Sequence, residues 1–189
     1  MSGSNLVLIG GGARSGKSAY AVRRALSLGP RRVFVATAEA FDEEMRARID
    51  AHVEERREDF TTIEAPRDLD AAVERLCAAR EPVDVVVIDC LTLWLSNLLL
   101  AEVALPEIER RVERLAHTLA GAPFSVLLVT NEVGFGLVPE TPLGRLFRDV
   151  AGRAHQRLSR AAREVHLAAL GCVLRIKPTP VVLAEEASP

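Results

Sequence analysis

The sequence predicts one α/β domain in which helices cover both faces of a mostly parallel β-sheet. Two observations carry this prediction: short β-branched runs alternate with segments of helical periodicity, and the strongest of these runs are continuously apolar. A strand is continuously apolar when both of its faces are buried, as in the middle of a parallel sheet. A length of 189 residues with 49% hydrophobic content fits a single core, so we take residues 1–189 as one domain.

The first part of the chain alternates strands and helices, beginning with an apolar strand. Glycine can close a helix and proline stops it, so the first helix is expected to end at Gly29 and Pro30. A second, highly charged helix is expected to begin near Asp42, whose carboxylate can cap the free amides of the first turn. The predicted segments are strand 5–10 (NLVLIG), helix 17–28, strand 32–38 (RVFVATA) and the charged helix 42–59.

The rest of the chain continues the same alternation. The run PVDVVVIDC (82–90) is the most convincing buried strand, and Leu69, Val73 and Leu76 have helical spacing. The predicted segments are the extended piece 60–65, helix 66–81, strand 82–90, helices 91–100 and 106–121, strand 124–133, helix 143–163, a single final strand 164–177 and a flexible tail 178–189.

Composition excludes several classes of function. A net charge of −2 and a pI near 6.1 argue against nucleic-acid binding. The three cysteines, Cys77, Cys90 and Cys172, are far apart and predict neither a zinc site nor a disulfide framework. Because no leader precedes the first strand and no apolar run approaches the ~20 residues of a membrane span, we expect a soluble, cytoplasmic protein.

A glycine-rich loop lies between the first strand and the first helix and matches the pattern GxxxxGK[ST]. Its glycines let backbone amides turn inward around phosphate oxygens, and the helix N-terminus adds partial positive charge. The lysine would reach the β- and γ-phosphates, and the serine hydroxyl would bind magnesium. The loop predicts a P-loop NTPase fold of the RecA-like type that binds a nucleoside triphosphate and Mg²⁺. Its residues are Gly11, Gly12, Ala13, Arg14, Ser15, Gly16, Lys17 and Ser18.

A second acid usually completes the magnesium site of a P-loop, at the end of an apolar strand. Asp89 stands in that position at the end of VVVID. An aspartate at a strand end is more often a cap for the helix that follows. Because the P-loop lies upstream, we interpret Asp89 as a magnesium ligand together with Ser18.

His52 lies within the charged segment. If 42–58 is a helix, Phe41, Met45, Ile49 and Val53 form a narrow apolar stripe with His52 at its border. The flanking guanidinium groups at positions 48 and 56 would lower the pKa of the imidazole and attract phosphate, which favours a nucleophilic nitrogen. Spacing alone favours an ordinary solvated helix over a catalytic one.

Several motifs together resemble one known family. GGARSGKS, VATA, DEEMRARIDAHVEERRED, VIDCLTLWLSNLL, VTNEVGFGLVPE and GRLFRDVAGRAHQRL are similar to the bifunctional adenosylcobinamide kinase / adenosylcobinamide-phosphate guanylyltransferase of cobalamin biosynthesis. The resemblance runs from about residue 6 to 175. A P-loop alone is generic, whereas RIxxH after the second strand paired with NEVGxGxVP after a later one is specific.

The resemblance implies a two-step activity. His52, in the RIDAH motif, would attack the α-phosphorus of GTP and carry GMP as a phosphoramidate. ATP or GTP would phosphorylate the hydroxyl of adenosylcobinamide, and the resulting phosphate would accept GMP. It also implies a homotrimer. The positions expected to line the nucleotide are Ala36, Thr37, Ala38, Val53, Glu54, Glu55, Arg56, Glu64 and Asp89, with Glu64 accepting hydrogen bonds from the guanine edge.

Two positions depart from the family pattern, and two other functions remain open. Phe60 stands where tryptophan is common, and His155 where asparagine is common. The alternatives are a P-loop small-molecule kinase without the transferase step, in which His52 has no role, and a RecA-like nucleotide-binding module. The single-domain length and the RIxxH/NEVG pair weigh against the module.

Overall fold

Eight strands form the centre of the fold in the computed structural model, which describes residues 4–39 and 58–186. The strands are β1 (Leu6–Gly11), β2 (Arg32–Ala36), β3 (Thr61–Glu64), β4 (Val85–Asp89), β5 (Ser125–Asn131), β6 (Glu164–Ala169), β7 (Cys172–Lys177) and β8 (Val182–Glu186). The helices in these ranges are α1 (Lys17–Leu26), α2 (Leu69–Ala78), α3 (Leu91–Leu100), α4 (Leu105–Ala120) and α5 (Pro142–Ala161). The predicted charged helix 42–59 lies almost wholly outside the described residues.

The strands form one sheet in the order β3-β2-β4-β5-β1-β6-β7-β8. The first six are parallel, and β7 and β8 are added in antiparallel pairs. The predicted mostly parallel sheet is therefore confirmed. Because parallel strands end at the same side, the ends of β3, β2, β4, β5, β1 and β6 form one border of the sheet, called here the carboxyl edge. Ligands of open α/β sheets bind outside such an edge.

Side chains that alternate along each strand build a core on both faces of the sheet. On β1, Val7 and Ile9 pack with α1, whereas Leu6 and Leu8 pack with α2 to α5. Trp94 of α3 is fully buried on the second face. The result is the three-layer arrangement expected from continuously apolar strands. None of the helices in the described ranges has the length and apolar content to cross a bilayer.

The C-terminal part of the chain differs from the prediction. The single strand predicted over 164–177 is wrong, because β6 and β7 form an antiparallel hairpin around Leu170 and Gly171, whose φ angles are 53° and 81°. Two successive positive φ values are typical of the tight turns that join hairpin strands. In the tail 178–189, predicted to be flexible, Val182–Glu186 forms β8 and pairs with β7.

Candidate active site

The loop between β1 and α1 has the backbone geometry that a phosphate cradle requires. Arg14 and Gly16 adopt positive φ angles of 55° and 84°, which turn the chain sharply before α1. A Cβ atom on Gly11 would lie 2.6 Å from both the Ala168 carbonyl oxygen and Ser15 Oγ, so only glycine fits there. The structure therefore brings the eight predicted residues of the loop into one tight turn at the carboxyl edge.

The interior of this turn presents hydrogen-bond donors. Gly16 occupies the N-cap position of α1 without a side-chain cap, so the first-turn amides are available to an anion. Ser15 Oγ is buried without a hydrogen-bond partner among the described residues. The buried Lys17 places its Nζ 2.9 Å from the Gly12 carbonyl oxygen, to which it donates one of its three protons. These donors fit the oxygens of a phosphate chain.

Asp89 ends β4, which lies two strands from β1 because β5 runs between them. Burial raises the pKa of the neighbouring Cys90 thiol, the Asp89 carboxylate raises it further, and Lys17 acts in the opposite direction. Lys17 is thus close enough to the end of β4 to influence it electrostatically. Ser18, half-buried in the first turn of α1, follows Lys17. The hydroxyl and the carboxylate at this edge offer oxygen ligands, which magnesium prefers.

Thr37 connects the ends of β2 and β4 through hydrogen bonds. The Thr37 hydroxyl donates to the Cys90 carbonyl oxygen at 2.7 Å and accepts from the Cys90 amide at 2.7 Å. Its own amide donates to the Asp89 carbonyl oxygen at 3.1 Å. The Asn97 side chain donates to the carbonyl oxygens of Thr37 and Pro66, both at 2.9 Å. Fully buried Thr37 therefore holds the backbone beside Asp89 in place, and its predicted nucleotide contact stays a prediction.

The other predicted nucleotide positions in the described part lie at the ends of β2 and β3. Ala36 is buried and Ala38 is half-buried, while Glu64 is exposed at the end of β3, the outermost parallel strand. Four interstrand spacings of about 4.8 Å place Glu64 roughly 19 Å from the P-loop strand. If Glu64 contacts guanine, the nucleotide must extend along the carboxyl edge.

The remaining predicted site residues lie outside the described residues. They are the proposed nucleophile and the positions that follow it: His52, Val53, Glu54, Glu55 and Arg56. The roles given to them by the sequence stay predictions.

The end of β5 carries a polar group to which the sequence analysis gave no role. Thr130 Oγ1 lies 2.7 Å from His155 Nε2, and His155 Nδ1 lies 3.6 Å from Glu132 Oε2. Burial lowers the pKa of His155, an effect that the Glu132 carboxylate partly offsets. Glu132 belongs to the NEVG motif and His155 is a departure from the family pattern, but their contact crosses 23 sequence positions and gives no local signal.

The loop after β5 exposes large apolar side chains. Phe135, Leu137 and Val138 are 83%, 96% and 66% exposed. Three such neighbours on one loop are unlike singly scattered surface residues, and exposed apolar groups of this kind are typical of interaction sites. The loop ends where Thr141 Oγ1 accepts the Gly144 amide at 3.1 Å and caps α5.

Comparison with known proteins gives matches over almost the whole chain. Residues 7–176 match the family described as cobinamide kinase / cobinamide phosphate guanyltransferase. The bifunctional adenosylcobalamin biosynthesis protein CobU of Salmonella typhimurium is 39% identical over 184 residues, covering 91% of this chain and 99% of that protein. The bifunctional adenosylcobalamin biosynthesis protein CobP of Pseudomonas aeruginosa is 37% identical over 174 residues, covering 92% of this chain and 98% of that protein.

A solved structure with a similar fold is the KaiC-like protein of Pyrococcus horikoshii. It superposes with a TM-score of 0.53 at 17% sequence identity, covering 97% of this chain and 80% of that one. At this identity the similarity concerns the fold alone.

Proposed function

The chain belongs to the cobinamide kinase / cobinamide phosphate guanyltransferase family, and we propose that it performs both reactions at the carboxyl edge of its sheet. The resemblance inferred from its motifs is thereby confirmed. In the first reaction, ATP or GTP phosphorylates the hydroxyl of adenosylcobinamide. In the second, GMP from GTP is joined to that phosphate through a guanylyl-histidine, which gives adenosyl-GDP-cobinamide.

The kinase step is supported by the donors inside the P-loop. The first-turn amides of α1, the buried Lys17 and the Ser15 hydroxyl, which has no hydrogen-bond partner within residues 4–39 and 58–186, would bind the β- and γ-phosphates. We assign Ser18 and Asp89 to a magnesium ion, which when bound neutralises charge on those phosphates. The acceptor oxygen then forms a bond to the γ-phosphorus as the bond to the β-phosphate oxygen breaks.

The guanylyl transfer is assigned to His52. An imidazole nitrogen would form a bond to the α-phosphorus of GTP while the bond to pyrophosphate breaks. The corrinoid phosphate would then attack the same phosphorus and release the imidazole, which is a good leaving group. Arg56 and Glu64 would hold the phosphate and the guanine of the bound nucleotide, respectively. Two displacements replace one difficult transfer between two anionic partners.

We extend the proposal to a homotrimer located in the cytoplasm. The family resemblance supports the trimer, and the exposed apolar loop that contains Phe135 and Leu137 offers an interaction surface beside the site. The predominance of apolar side chains on that loop suits a corrinoid or a second subunit.

The covalent step can be tested by intact-protein mass spectrometry. We expect the protein incubated with GTP and Mg²⁺ to gain the mass of one GMP, and His52→Asn to gain none. His117→Asn, which changes an exposed histidine on α4, is the matched control and should retain the adduct. A native protein without the adduct, or a His52→Asn protein that keeps it, would contradict the assignment.

A further inference from the structure

Glu132 is fixed beside the P-loop by the backbone. Its amide donates to the Gly11 carbonyl oxygen at 3.0 Å, directly where the P-loop begins. It follows β5, the strand between the P-loop strand and the strand that ends at Asp89. The γ-phosphate of a nucleotide held by Lys17 and by a metal at Asp89 would lie between those two strands. Glu132 therefore stands at the centre of the edge where the γ-phosphate is transferred.

The carboxylate of Glu132 accepts one hydrogen bond and faces an imidazole. Oε1 accepts the Gly134 amide at 2.6 Å, and Oε2 lies 3.6 Å from His155 Nδ1. The side chain is 26% exposed, so one carboxylate oxygen can still be reached by a ligand. The hydrogen bond from Gly134 limits the directions that the carboxylate can take, while its exposed part leaves room for a substrate hydroxyl.

The neighbours of the half-buried His155 favour one arrangement of protons. Thr130 Oγ1 lies 2.7 Å from Nε2, and Thr130 is itself buried. A neutral imidazole has one donor and one acceptor nitrogen. If the Thr130 hydroxyl donates to Nε2, the Nδ1–H points at the negative carboxylate, which is the electrostatically favoured tautomer. Thr130 and His155 then form a chain of donors that ends on Glu132.

We propose that Glu132 is the general base of the kinase step and that His155 is its positioning residue. This inference rests on the proposed function, since it needs a hydroxyl acceptor and a triphosphate at the P-loop. As the acceptor oxygen bonds to the γ-phosphorus and the nucleoside diphosphate leaves, the hydroxyl proton passes to Glu132 Oε2. Solvent later removes that proton through the exposed side of the carboxylate. Carboxylates serve as the hydroxyl-proton acceptor in other phosphoryl transfers.

Glu132→Gln tests the base directly, since glutamine keeps an acceptor for the Gly134 amide but cannot take the proton. We expect kcat for adenosylcobinamide phosphorylation to fall roughly 100-fold or more with KM changed less than about threefold, because general-base catalysis contributes 10² to 10⁴. Glu140→Gln, an exposed glutamate on the same loop, is the matched control and should keep its rate. The GMP adduct should form normally in both variants, which also shows that they are folded.

The outcomes separate this inference from the function on which it rests. A Glu132→Gln protein that phosphorylates adenosylcobinamide within about threefold of the native rate overturns the assignment and leaves the proposed function intact. A native protein that phosphorylates no adenosylcobinamide overturns the kinase half of the proposed function, and the inference falls with it.

His155 is tested with two replacements. Asparagine places its Nδ2 donor near the position of the imidazole Nδ1, whereas leucine has no donor. We expect His155→Asn to keep the phosphorylation rate within about fivefold and His155→Leu to lose at least about tenfold, with normal GMP adduct in both. Equal rates in the two variants would contradict a positioning role through Glu132.

Discussion

Two histidines on opposite faces of the sheet, half-buried His155 and fully buried His166, have the same kinds of neighbour but lie in different surroundings. His155 has the Thr130 hydroxyl on one ring nitrogen and the Glu132 carboxylate near the other. His166 has the Tyr20 hydroxyl at 2.8 Å from Nδ1 and Glu164 Oε2 at 3.0 Å from Nε2. Each histidine thus lies between a hydroxyl group and a carboxylate.

The group around His166 is closed, and its carboxylate is paired with arginines. Arg24 donates to the Tyr20 hydroxyl at 3.0 Å and to Glu164 Oε2 at 2.8 Å, so it joins both neighbours of His166. Arg163 contacts Glu164 Oε1 at 3.1 Å. His166 is 1% exposed and the Glu164 side chain 15%. These contacts connect α1 to β6. We interpret the group as a structural one that stabilises the packing of the P-loop helix on the sheet.

The group around His155 is open at one end. Glu132 is 26% exposed, and its carboxylate accepts a hydrogen bond from the Gly134 amide and faces the His155 imidazole, both of them neutral groups. It also lies at the carboxyl edge beside Gly11, whereas Glu164 lies at the start of β6. The comparison shows that residue types alone do not separate a structural group from a reactive one. The two groups differ in whether arginines pair with the carboxylate and in whether the carboxylate lies at the carboxyl edge, where a ligand can reach it.

The largest stability difference should appear between the two glutamates. Glu164→Gln removes the charge that pairs with Arg24, and hydrogen bonds to charged groups contribute about 1.5–3 kcal/mol. We expect it to lower the free energy of unfolding by about 2 kcal/mol, and Glu132→Gln to lower it by less than about 0.5 kcal/mol. Urea denaturation of both variants measures this. If Glu132→Gln proves the more destabilising variant, the roles assigned to the two groups are reversed.

A smaller effect is expected in the pH dependence of stability. Burial, together with Arg24, lowers the pKa of His166, although Glu164 opposes this. Below about pH 6.5 the unfolded chain binds a proton that folded His166 refuses, so stability falls as the pH falls. His166→Gln should make the free energy of unfolding fall less between pH 7.5 and pH 5.5 than it does in the native protein. Thermal unfolding of both proteins between pH 7.5 and 5.5 measures this effect. If stability depends on pH equally in the native protein and in His166→Gln, protonation of His166 does not contribute to it.

His155 contributes in the same direction, because burial lowers its pKa as well. The carboxylates do not disturb the measurement. The pKa values of Asp70 and Glu164 are lowered, since their arginine partners outweigh burial, and their stabilisation is lost only below about pH 4.5.

The sequence predicted the features that depend on local pattern. The P-loop was found because its glycines and Lys17 must have fixed spacing, and β1 and β4 because buried parallel strands are apolar throughout. The turn between β6 and β7 was missed because its first residue is Leu170, a residue type that rarely adopts a positive φ. Nothing in the residues around it signals a break before Gly171.

The contacts at the carboxyl edge could not be predicted from the sequence, for another reason. Thr37 and Cys90 are 53 positions apart. Parallel strands are joined by long crossover connections, so residues that meet at their ends are far apart in sequence. Thr37 was predicted to line the nucleotide, yet its hydrogen bonds also hold the backbone at Asp89. Only the sheet order shows that Glu132, which follows β5, lies between the P-loop strand and the strand that ends at Asp89.

Product analysis of His52→Ala tests most directly whether one sheet edge supports two separate transfers. The protein is supplied with adenosylcobinamide, GTP and Mg²⁺, and the corrinoid products are resolved by chromatography and mass spectrometry. We predict that native protein yields adenosyl-GDP-cobinamide, whereas His52→Ala accumulates adenosylcobinamide phosphate and stops there. A His52→Ala protein that still produces adenosyl-GDP-cobinamide would contradict the account.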